Sequence, residues 1–195
     1  QEWPRIFFQE LEQKKKSPQE EVIALGYSMG GRLLLHALKT QPHFFKKAII
    51  ISAQTHLSDH EQIQKRKLWE MSWELSFQKK TWSDLWCDWN HLEVLKSPYE
   101  RAIPKEKRYS RCILRQALRN WSPTLHFVNA DDFTQFPIPL LWVAGERDRK
   151  YAQLYTSWRE SGTYGQVEIV PEAGHRVHMD QAELLSLVVS SFIGA

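Results

Sequence analysis

One serine of the chain is flanked by glycines at a spacing that suits a nucleophile. The segment Gly26-Tyr27-Ser28-Met29-Gly30 fits the pattern G-x-S-x-G and lies between an apolar run and a helical pattern. In that context the glycines allow a sharp strand-to-helix turn that exposes the serine hydroxyl. Backbone N–H groups at the start of the helix would stabilise developing negative charge there. The segment therefore predicts an activated hydroxyl at Ser28, with the N–H of Met29 as one oxyanion donor.

A serine hydroxyl is a weak nucleophile unless a base activates it, so partners are required elsewhere in the chain. In a strand–turn–helix architecture of this kind the acid follows the serine in the chain, and the histidine follows the acid. Asp148 lies in "VAGERDRKY", after one apolar run, and His175 lies in "PEAGHRVHMDQ", after the next. We expect Asp148 and His175 to complete the site, with Glu146 and His178 as rival residues.

Four short apolar runs must be strands if these side chains are to meet. Helical patterns alternate with them, which indicates a parallel sheet covered by helices on both faces. Side chains that follow such strands meet at the carboxyl edge of the sheet. The predicted strands are Glu21–Gly26, Lys47–Ala53, Ile138–Glu146 and Gly165–Gly174, and the predicted helices are 6–16, 30–40, Tyr151–Ser161 and Asp180–Phe192.

A long segment interrupts this alternation. Residues 56–135 contain no convincing strand, show helical spacing, and hold most of the tryptophans. A connection between a strand and the next helix normally needs only a few residues, so this segment is an insertion. We predict a core of residues 1–55 and 136–195, with residues 56–135 as a helical cap. Most of its aromatic side chains should form the cap's own core, and a few should line a pocket beneath it.

The composition argues against several other classes of protein. The net charge of +3 is too small to predict nucleic-acid binding. The apolar runs are far shorter than the ~20 residues of a membrane span. Two cysteines form neither a metal pattern nor a disulfide framework, which favours a reducing, cytoplasmic compartment. No spacing resembles a zinc site, and we expect no metal.

The start of the chain lacks a feature that the predicted site requires. A second oxyanion donor usually comes from a loop after an earlier strand, often with a His-Gly type motif, and no such motif precedes residue 20. At about 30 residues per unit, two missing strand–helix units would account for about 60 residues. We therefore expect an N-terminally shortened piece of a larger enzyme, with one sheet edge exposed.

Four segments together carry a family resemblance. "GYSMGGR", "DLWCDWNHLEVLKS" (84–97), "GERDRKY" and "AGHRVHMDQ" resemble the elbow, cap, acid loop and histidine loop of the 2-succinyl-6-hydroxy-2,4-cyclohexadiene-1-carboxylate synthases (MenH), within the α/β-hydrolase superfamily. The resemblance implies an α/β-hydrolase fold and a menaquinone-pathway reaction that eliminates pyruvate without metal or organic cofactor. In that reaction Ser28, activated by His175 and Asp148, would remove a proton from the substrate.

The implied substrate carries several carboxylates, which arginine side chains bind through two parallel hydrogen bonds. Arg32 resembles the family's arginine after the elbow, and Arg66 resembles one in the cap. A third arginine is expected later in the cap, where the resemblance fits Arg108 and Arg111 equally well. The positions that resemble the family's substrate-binding residues are Tyr27, Arg32, Arg66, Trp89 and either Arg108 or Arg111.

Two other functions stay open at this level. One is a carboxylic-ester or thioester hydrolase resembling the pimeloyl-carrier methyl esterases. The other is a non-catalytic binding protein of the same fold. Guanidinium groups that converge on Ser28 favour the pyruvate-eliminating synthase, whereas a long apolar channel favours the esterase. The sequence does not predict the oligomeric state.

Overall fold

The fold is known from a computed structural model that describes residues 3–96, 102–125, 127–162 and 164–194. Its centre is a four-stranded parallel sheet with the strands in chain order. The predicted parallel sheet is confirmed, and the observed strands differ by a few residues at their ends from the predicted ones. The strands are β1 (Ile23–Tyr27), β2 (Lys47–Ile51), β3 (Leu140–Gly145) and β4 (Gln166–Val170).

The two central strands are buried on both faces, which explains their continuous apolar sequence. Every residue of β2 and β3 is buried. The outer strands differ, because β4 exposes Gln166 and Glu168, and Leu25 of β1 is 52% exposed. In the described part of the chain β1 is an edge strand, as the sequence predicted.

Helices cover both faces of the sheet. On one face α2 (Met29–Thr40) and α6 (Arg149–Ser161) share a core with Ile50 and Trp142 of the sheet, and α1 (Trp3–Lys14) packs on α2. On the other face α8 (Ala182–Gly194) packs Leu185 and Phe192 on Ile49, Ile51, Leu141 and Val143. Successive strand residues point to opposite faces, so each central strand contributes to both cores.

The long insertion between β2 and β3 is helical in its described part. It contains α3 (His60–Lys79), α4 (Trp82–Asn90) and α5 (Arg111–Asn120). Their N-caps Asp59, Thr81 and Ser110 each accept a hydrogen bond from a backbone N–H of the first turn, which satisfies a donor that lacks an intrahelical acceptor. The insertion has an aromatic cluster of its own, centred on three buried side chains, Trp73, Phe77 and Leu85. The division into core and cap stays a prediction.

The register of the sheet aligns the ends of the strands. Tyr27 of β1 lies beside Ile51, Ile51 beside Val143, and Gly145 beside Val170 of β4. Because all four strands run in the same direction, the residues that follow them lie along one edge of the sheet. Among the described helices, none is long and apolar enough to cross a membrane.

Candidate active site

Ser28 occupies a strained turn between β1 and α2. Its backbone has φ 50° and ψ −115°, a conformation that is rare for a residue with a side chain. Its N–H donates to the carbonyl oxygen of Ile51, at 2.8 Å, and holds the turn against β2. Such strain is typical of a functional position, and the serine pattern predicted it here.

The turn requires glycine because β1 and α2 approach very closely. A Cβ atom at Gly26 would lie 2.7 Å from the Cα of Gly31, and one at Gly31 would lie 2.6 Å from the Cβ of Ala53. A Cβ atom at Gly30 would meet nothing within 4 Å in the described structure. The crowded positions are therefore Gly26 and Gly31, and the second glycine of the sequence pattern, Gly30, has space around it.

Ser28, His175 and Asp148 form a continuous hydrogen-bonded chain. The Ser28 Oγ lies 3.0 Å from His175 Nε2, and His175 Nδ1 lies 2.6 Å from Asp148 Oδ2. The His175 and Asp148 side chains are only 4% and 3% exposed. An ionised Asp148 accepts only, so we assign the proton to Nδ1 of His175, which leaves Nε2 to accept from the serine hydroxyl. This arrangement lets His175 take the proton of Ser28.

The two rival residues lie outside this chain of hydrogen bonds. Glu146 is exposed, and its carboxylate accepts from the backbone N–H of Glu172. The His178 ring packs on the Tyr27 ring, with 4.6 Å between the centroids. The geometry therefore favours Asp148 and His175 over Glu146 and His178, as the sequence did.

The acid loop and the histidine loop pack directly on each other. A Cβ atom at Gly145 would clash with the backbone carbonyl oxygens of Ala173 and Gly174. The N–H of Arg147 donates to Ala173 at 2.8 Å, and the N–H of Gly174 donates to Asp180 Oδ2 at 3.0 Å. Sequence reasoning missed Gly145 and Asp180, although a glycine that ends a strand before an acidic loop is a usable signal.

Two tyrosine rings flank the imidazole. The Tyr27 and Tyr151 rings lie 5.4 and 5.3 Å from the His175 ring, between centroids. Burial raises the pKa of each hydroxyl to about 12, so both stay protonated at neutral pH. Tyr27 was predicted to line the pocket, whereas Tyr151 was not predicted.

Arg32 lies one turn after Ser28 on α2, and its N–H donates to the Ser28 carbonyl at 3.1 Å. Burial is the main cause that lowers the pKa of its guanidinium, to about 10. Its Nε is buried and has no hydrogen-bond partner among the described residues. A buried donor without a hydrogen-bond acceptor lowers the stability of the folded protein, and an acceptor atom of a ligand would form the missing hydrogen bond.

Arg66 lies on α3 of the insertion. Its Nε donates to Glu70 at 2.5 Å, and its guanidinium lies 4.3 Å from the centroid of the Trp69 ring. The Arg66 charge also contributes to the lowered pKa of Arg32, so the two guanidinium groups are electrostatic neighbours. The charges of the two arginines therefore interact, and their joint contact with a substrate stays a prediction.

The two later arginines have different surroundings. Arg111 donates to the carbonyl oxygens of Phe77 and Lys80, at 3.0 and 2.8 Å, and to the Glu106 carboxylate at 2.6 Å. Arg108 is exposed at the end of a short 3₁₀ helix. The hydrogen bonds of Arg111 thus join parts of the insertion to one another, and its substrate-binding role stays a prediction, as does that of Arg108.

Trp89, the last predicted pocket residue, packs in the aromatic cluster of the insertion, 4.8 Å from Trp73 between ring centroids. It also lines an apolar cavity of about 210 Å³ that extends from Met29 into the insertion. Trp86 lines the same cavity, and its indole N–H is buried without a partner among the described residues. A larger, more polar cavity of about 870 Å³ borders Asp148 and His175.

Residue 97, the last of the segment 84–97 that carries the cap resemblance, lies outside the described residues. In the described ranges no group of three or more His, Cys, Asp or Glu side chains could hold a metal ion.

The fold agrees with an independent comparison of sequences. The model of the alpha/beta hydrolase family matches residues 2–186. The chain belongs to the alpha/beta hydrolase family. In this family the nucleophile, acid and histidine follow one another in the order found here for Ser28, Asp148 and His175.

Individual members of the family are distant in sequence. This alpha/beta hydrolase is 23% identical over 180 residues to a Bacillus subtilis (strain 168) protein with the provisional name 2-succinyl-6-hydroxy-2,4-cyclohexadiene-1-carboxylate synthase. That alignment covers 89% of the chain but only 66% of the relative, so the chain spans about two thirds of its length.

Solved structures confirm the fold. MenH from S. aureus superposes with a TM-score of 0.81 at 18% identity, over 98% of this chain and 73% of that protein. A carboxylesterase of Nitrososphaera gargenis superposes with a TM-score of 0.68 at 11% identity, over 99% of this chain and 71% of that protein. Both likenesses show the α/β-hydrolase fold, and neither identifies a substrate.

Proposed function

We propose that this alpha/beta hydrolase removes pyruvate from 2-succinyl-5-enolpyruvyl-6-hydroxy-3-cyclohexene-1-carboxylate in menaquinone biosynthesis. Ser28, His175 and Asp148 would be the catalytic residues. The observation that carries the proposal is the buried, unpartnered Nε of Arg32, one turn after Ser28, with Arg66 nearby. A substrate with several carboxylates satisfies such a donor and offsets the repulsion between the two guanidinium groups.

The proposed reaction uses the serine as a base. The Ser28 Oγ takes a proton from the carbon beside the succinyl carbonyl as His175 Nε2 takes the hydroxyl proton. The electron pair left on carbon forms an enolate, whose oxygen the Met29 N–H stabilises. The enolate then reforms the carbonyl as its electron pair makes a double bond to the neighbouring ring carbon. The existing ring double bond shifts by one position, and the C–O bond to the enolpyruvyl group breaks. The proton held by His175 leaves with the departing group, which becomes pyruvate.

The position of Asp148 supports this role for His175. The imidazolium that forms during proton transfer is nearly buried, and a buried cation is costly without a partner. The carboxylate hydrogen-bonded to Nδ1 at 2.6 Å supplies that partner. Asp148 also keeps the ring in the tautomer that accepts at Nε2.

One observation favours ester hydrolysis as a second candidate. The cavity of about 210 Å³ beside Met29 is lined almost entirely by apolar side chains of the insertion, including Trp86 and Trp89. An acyl chain would bury its apolar surface there. In that reaction the Ser28 Oγ forms an ester with the acyl group, the alcohol leaves with the proton from His175, and water hydrolyses the acyl-serine.

A parallel assay distinguishes the two candidates. The full-length protein is incubated with the succinylated substrate while pyruvate is measured with lactate dehydrogenase, and separately with p-nitrophenyl butyrate. We expect pyruvate release that Ser28→Ala lowers at least ~10³-fold, since the variant removes the proton-transferring hydroxyl. Ester hydrolysis without pyruvate release would favour the esterase. If the folded protein has neither activity, both candidates are wrong and a binding role replaces them.

The remaining predictions about the whole protein belong to the same proposal. The substrate is a small polycarboxylate, no nucleic acid or metal takes part, and the protein is expected in the cytoplasm. Cys87 and Cys112 are both exposed free thiols, which agrees with a reducing compartment.

A further inference from the structure

Arg176 connects the loop of the catalytic histidine to the insertion. It directly follows His175, and its Nη2 donates to the side-chain oxygen of Asn90 at 2.7 Å. Asn90 ends α4, and its amide nitrogen donates to the Trp86 carbonyl oxygen at 2.8 Å. Asn90 and Arg176 are both partly buried, so water competes less for the hydrogen bond between them.

A second contact lies on the other side of the histidine. A Cβ atom at Gly174 would lie 3.4 Å from the carbonyl oxygen of Lys96, in the segment that follows α4. Lys96 also lines the cavity of about 870 Å³ that Asp148 and His175 border. The insertion therefore lies against the histidine loop at both chain neighbours of His175.

The backbone of Arg176 is fixed relative to the imidazole. Its carbonyl oxygen accepts from the N–H groups of Met179 and Asp180, at 2.7 and 2.9 Å. The Asp180 carboxylate in turn accepts from the N–H of Gly174 at 3.0 Å. These hydrogen bonds close a compact turn around His175, from which the Arg176 side chain extends to α4.

The helix that Arg176 contacts carries part of the apolar cavity. Trp86 and Trp89 of α4 line the space of about 210 Å³ that begins at Met29, the residue after Ser28. The other side-chain hydrogen bonds described for α4 have both partners inside the insertion. Without its hydrogen bond to Arg176, the end of α4 would be free to shift relative to Ser28, and the aromatic wall of the cavity would shift with it.

We infer that Arg176 is a positioning residue that holds the aromatic wall of α4 in place over Ser28 and thereby favours substrates long enough to reach this wall. It acts through Asn90 and α4. The role is the same for pyruvate elimination and for ester hydrolysis, so it goes beyond the choice between these two reactions. A hydrogen bond from a charged donor stabilises a contact substantially, and only a ligand that touches α4 would respond to its loss.

The test compares a small and a long reagent for Ser28. The full-length protein is treated with diisopropyl fluorophosphate and with a fluorophosphonate that carries an octyl chain, and the two second-order rate constants of labelling are measured. We expect Arg176→Gln to lower the ratio of the long to the small reagent by ~5–30-fold, because the chain loses a fixed apolar wall. The rate constant for the small reagent should stay within about twofold, which a displaced His175 or a loosened fold would not allow.

A double-mutant cycle determines whether Arg176 acts through Asn90. Asn90→Ala should lower the same ratio about as much as Arg176→Gln, and the double variant should lose no more than either single variant. Asn90→Asp keeps an acceptor for the guanidinium and should stay within about threefold of the unsubstituted protein. Arg147→Gln is the matched control, because this exposed arginine directly precedes Asp148, and it should stay within about twofold.

Three results would overturn the inference. The first is a ratio for Arg176→Gln equal to that for Arg147→Gln. The second is a loss that affects both reagents alike, or one that multiplies with the loss in Asn90→Ala, because the arginine would then act on the fold or independently of α4. The third is a protein that neither reagent labels, since α4 would then have no reactive serine to face. These measurements do not depend on pyruvate release, which tests the proposed function separately.

Discussion

Replacement of Asp148 by asparagine removes one charge from a nearly buried pair and changes little else. The His175 and Asp148 side chains are 4% and 3% exposed, and 2.6 Å separates Nδ1 from Oδ2. With charge centres ~4 Å apart and an effective dielectric constant near 20, the carboxylate stabilises the imidazolium by about 4 kcal/mol. That loss corresponds to a decrease in rate of about 10³-fold.

The tautomer of His175 can enlarge this loss. If the amide NH₂ of the new asparagine faces Nδ1, the ring proton moves to Nε2. A protonated Nε2 donates to the Ser28 Oγ and cannot take its proton. The combined loss can then reach about 10⁴-fold.

The assay must report the reactivity of Ser28 without assuming a substrate. We therefore choose the rate of labelling by a fluorophosphonate probe, together with kcat on whichever substrate the unsubstituted protein converts. Glu146→Gln is the matched control, because it removes an exposed carboxylate two residues away. We expect the labelling rate and kcat of Glu146→Gln to stay within about twofold of those of the unsubstituted protein. If the folded Asp148→Asn variant keeps its labelling rate, or if Glu146→Gln loses as much, the assignment of the acid is wrong.

Three further predictions concern stability and binding. Gly31→Ala places a Cβ 2.6 Å from the Cβ of Ala53 and should lower the free energy of unfolding, measured with urea, by about 1–3 kcal/mol. Gly30→Ala, whose new Cβ has open space around it, should lower that free energy by less than about 1 kcal/mol. Equal losses would refute this difference in packing. Tyr155→Phe removes the two hydrogen bonds that join the Tyr155 hydroxyl to the Ala53 N–H and carbonyl oxygen, at 3.0 and 2.5 Å. The free energy of unfolding should fall by about 1–3 kcal/mol, and an unchanged value would contradict this expectation. Arg32→Ala should weaken product binding ~10–100-fold in calorimetry while fluorophosphonate labelling persists, and unchanged binding would count against a polycarboxylate substrate.

The pattern of strands and the catalytic candidates could be predicted because they depend on local signals. Apolar runs of strand length alternate with helical patterns, and the parallel sheet follows from that alternation. Ser28, Asp148 and His175 each follow such a run, and parallel strands end along one edge. The hydrogen bonds among these three side chains agree with that reasoning.

The surroundings of the arginines could not be predicted in the same way. Arg111 and Arg32 are the same residue type on helices, yet Arg111 donates to carbonyl oxygens of the insertion while the Arg32 Nε has no partner among the described residues. The difference depends on which backbone lies beside each side chain. That neighbour is distant in sequence, so no local pattern encodes it.

Lys47, in the core, is another residue whose surroundings could not be predicted from the local sequence. It begins β2, where a lysine suggests a solvated strand end, but it is buried and donates to the carbonyl oxygens of Phe192 and Ile193. It thereby satisfies acceptors at the end of α8 that lack intrahelical donors. The contact spans most of the chain, and only the packing of α8 on the sheet creates it.

The sequence by itself determined the alternation of elements and the strained serine turn, because each depends on residues close together in the chain. It also determined the order of serine, acid and histidine, because each of the three residues lies in a local pattern of its own. The tertiary structure alone decided that Gly31 rather than Gly30 is the crowded glycine and that Glu146 lies outside the hydrogen-bonded chain. These features depend on distances between separate elements, which are set when the helices pack on the sheet.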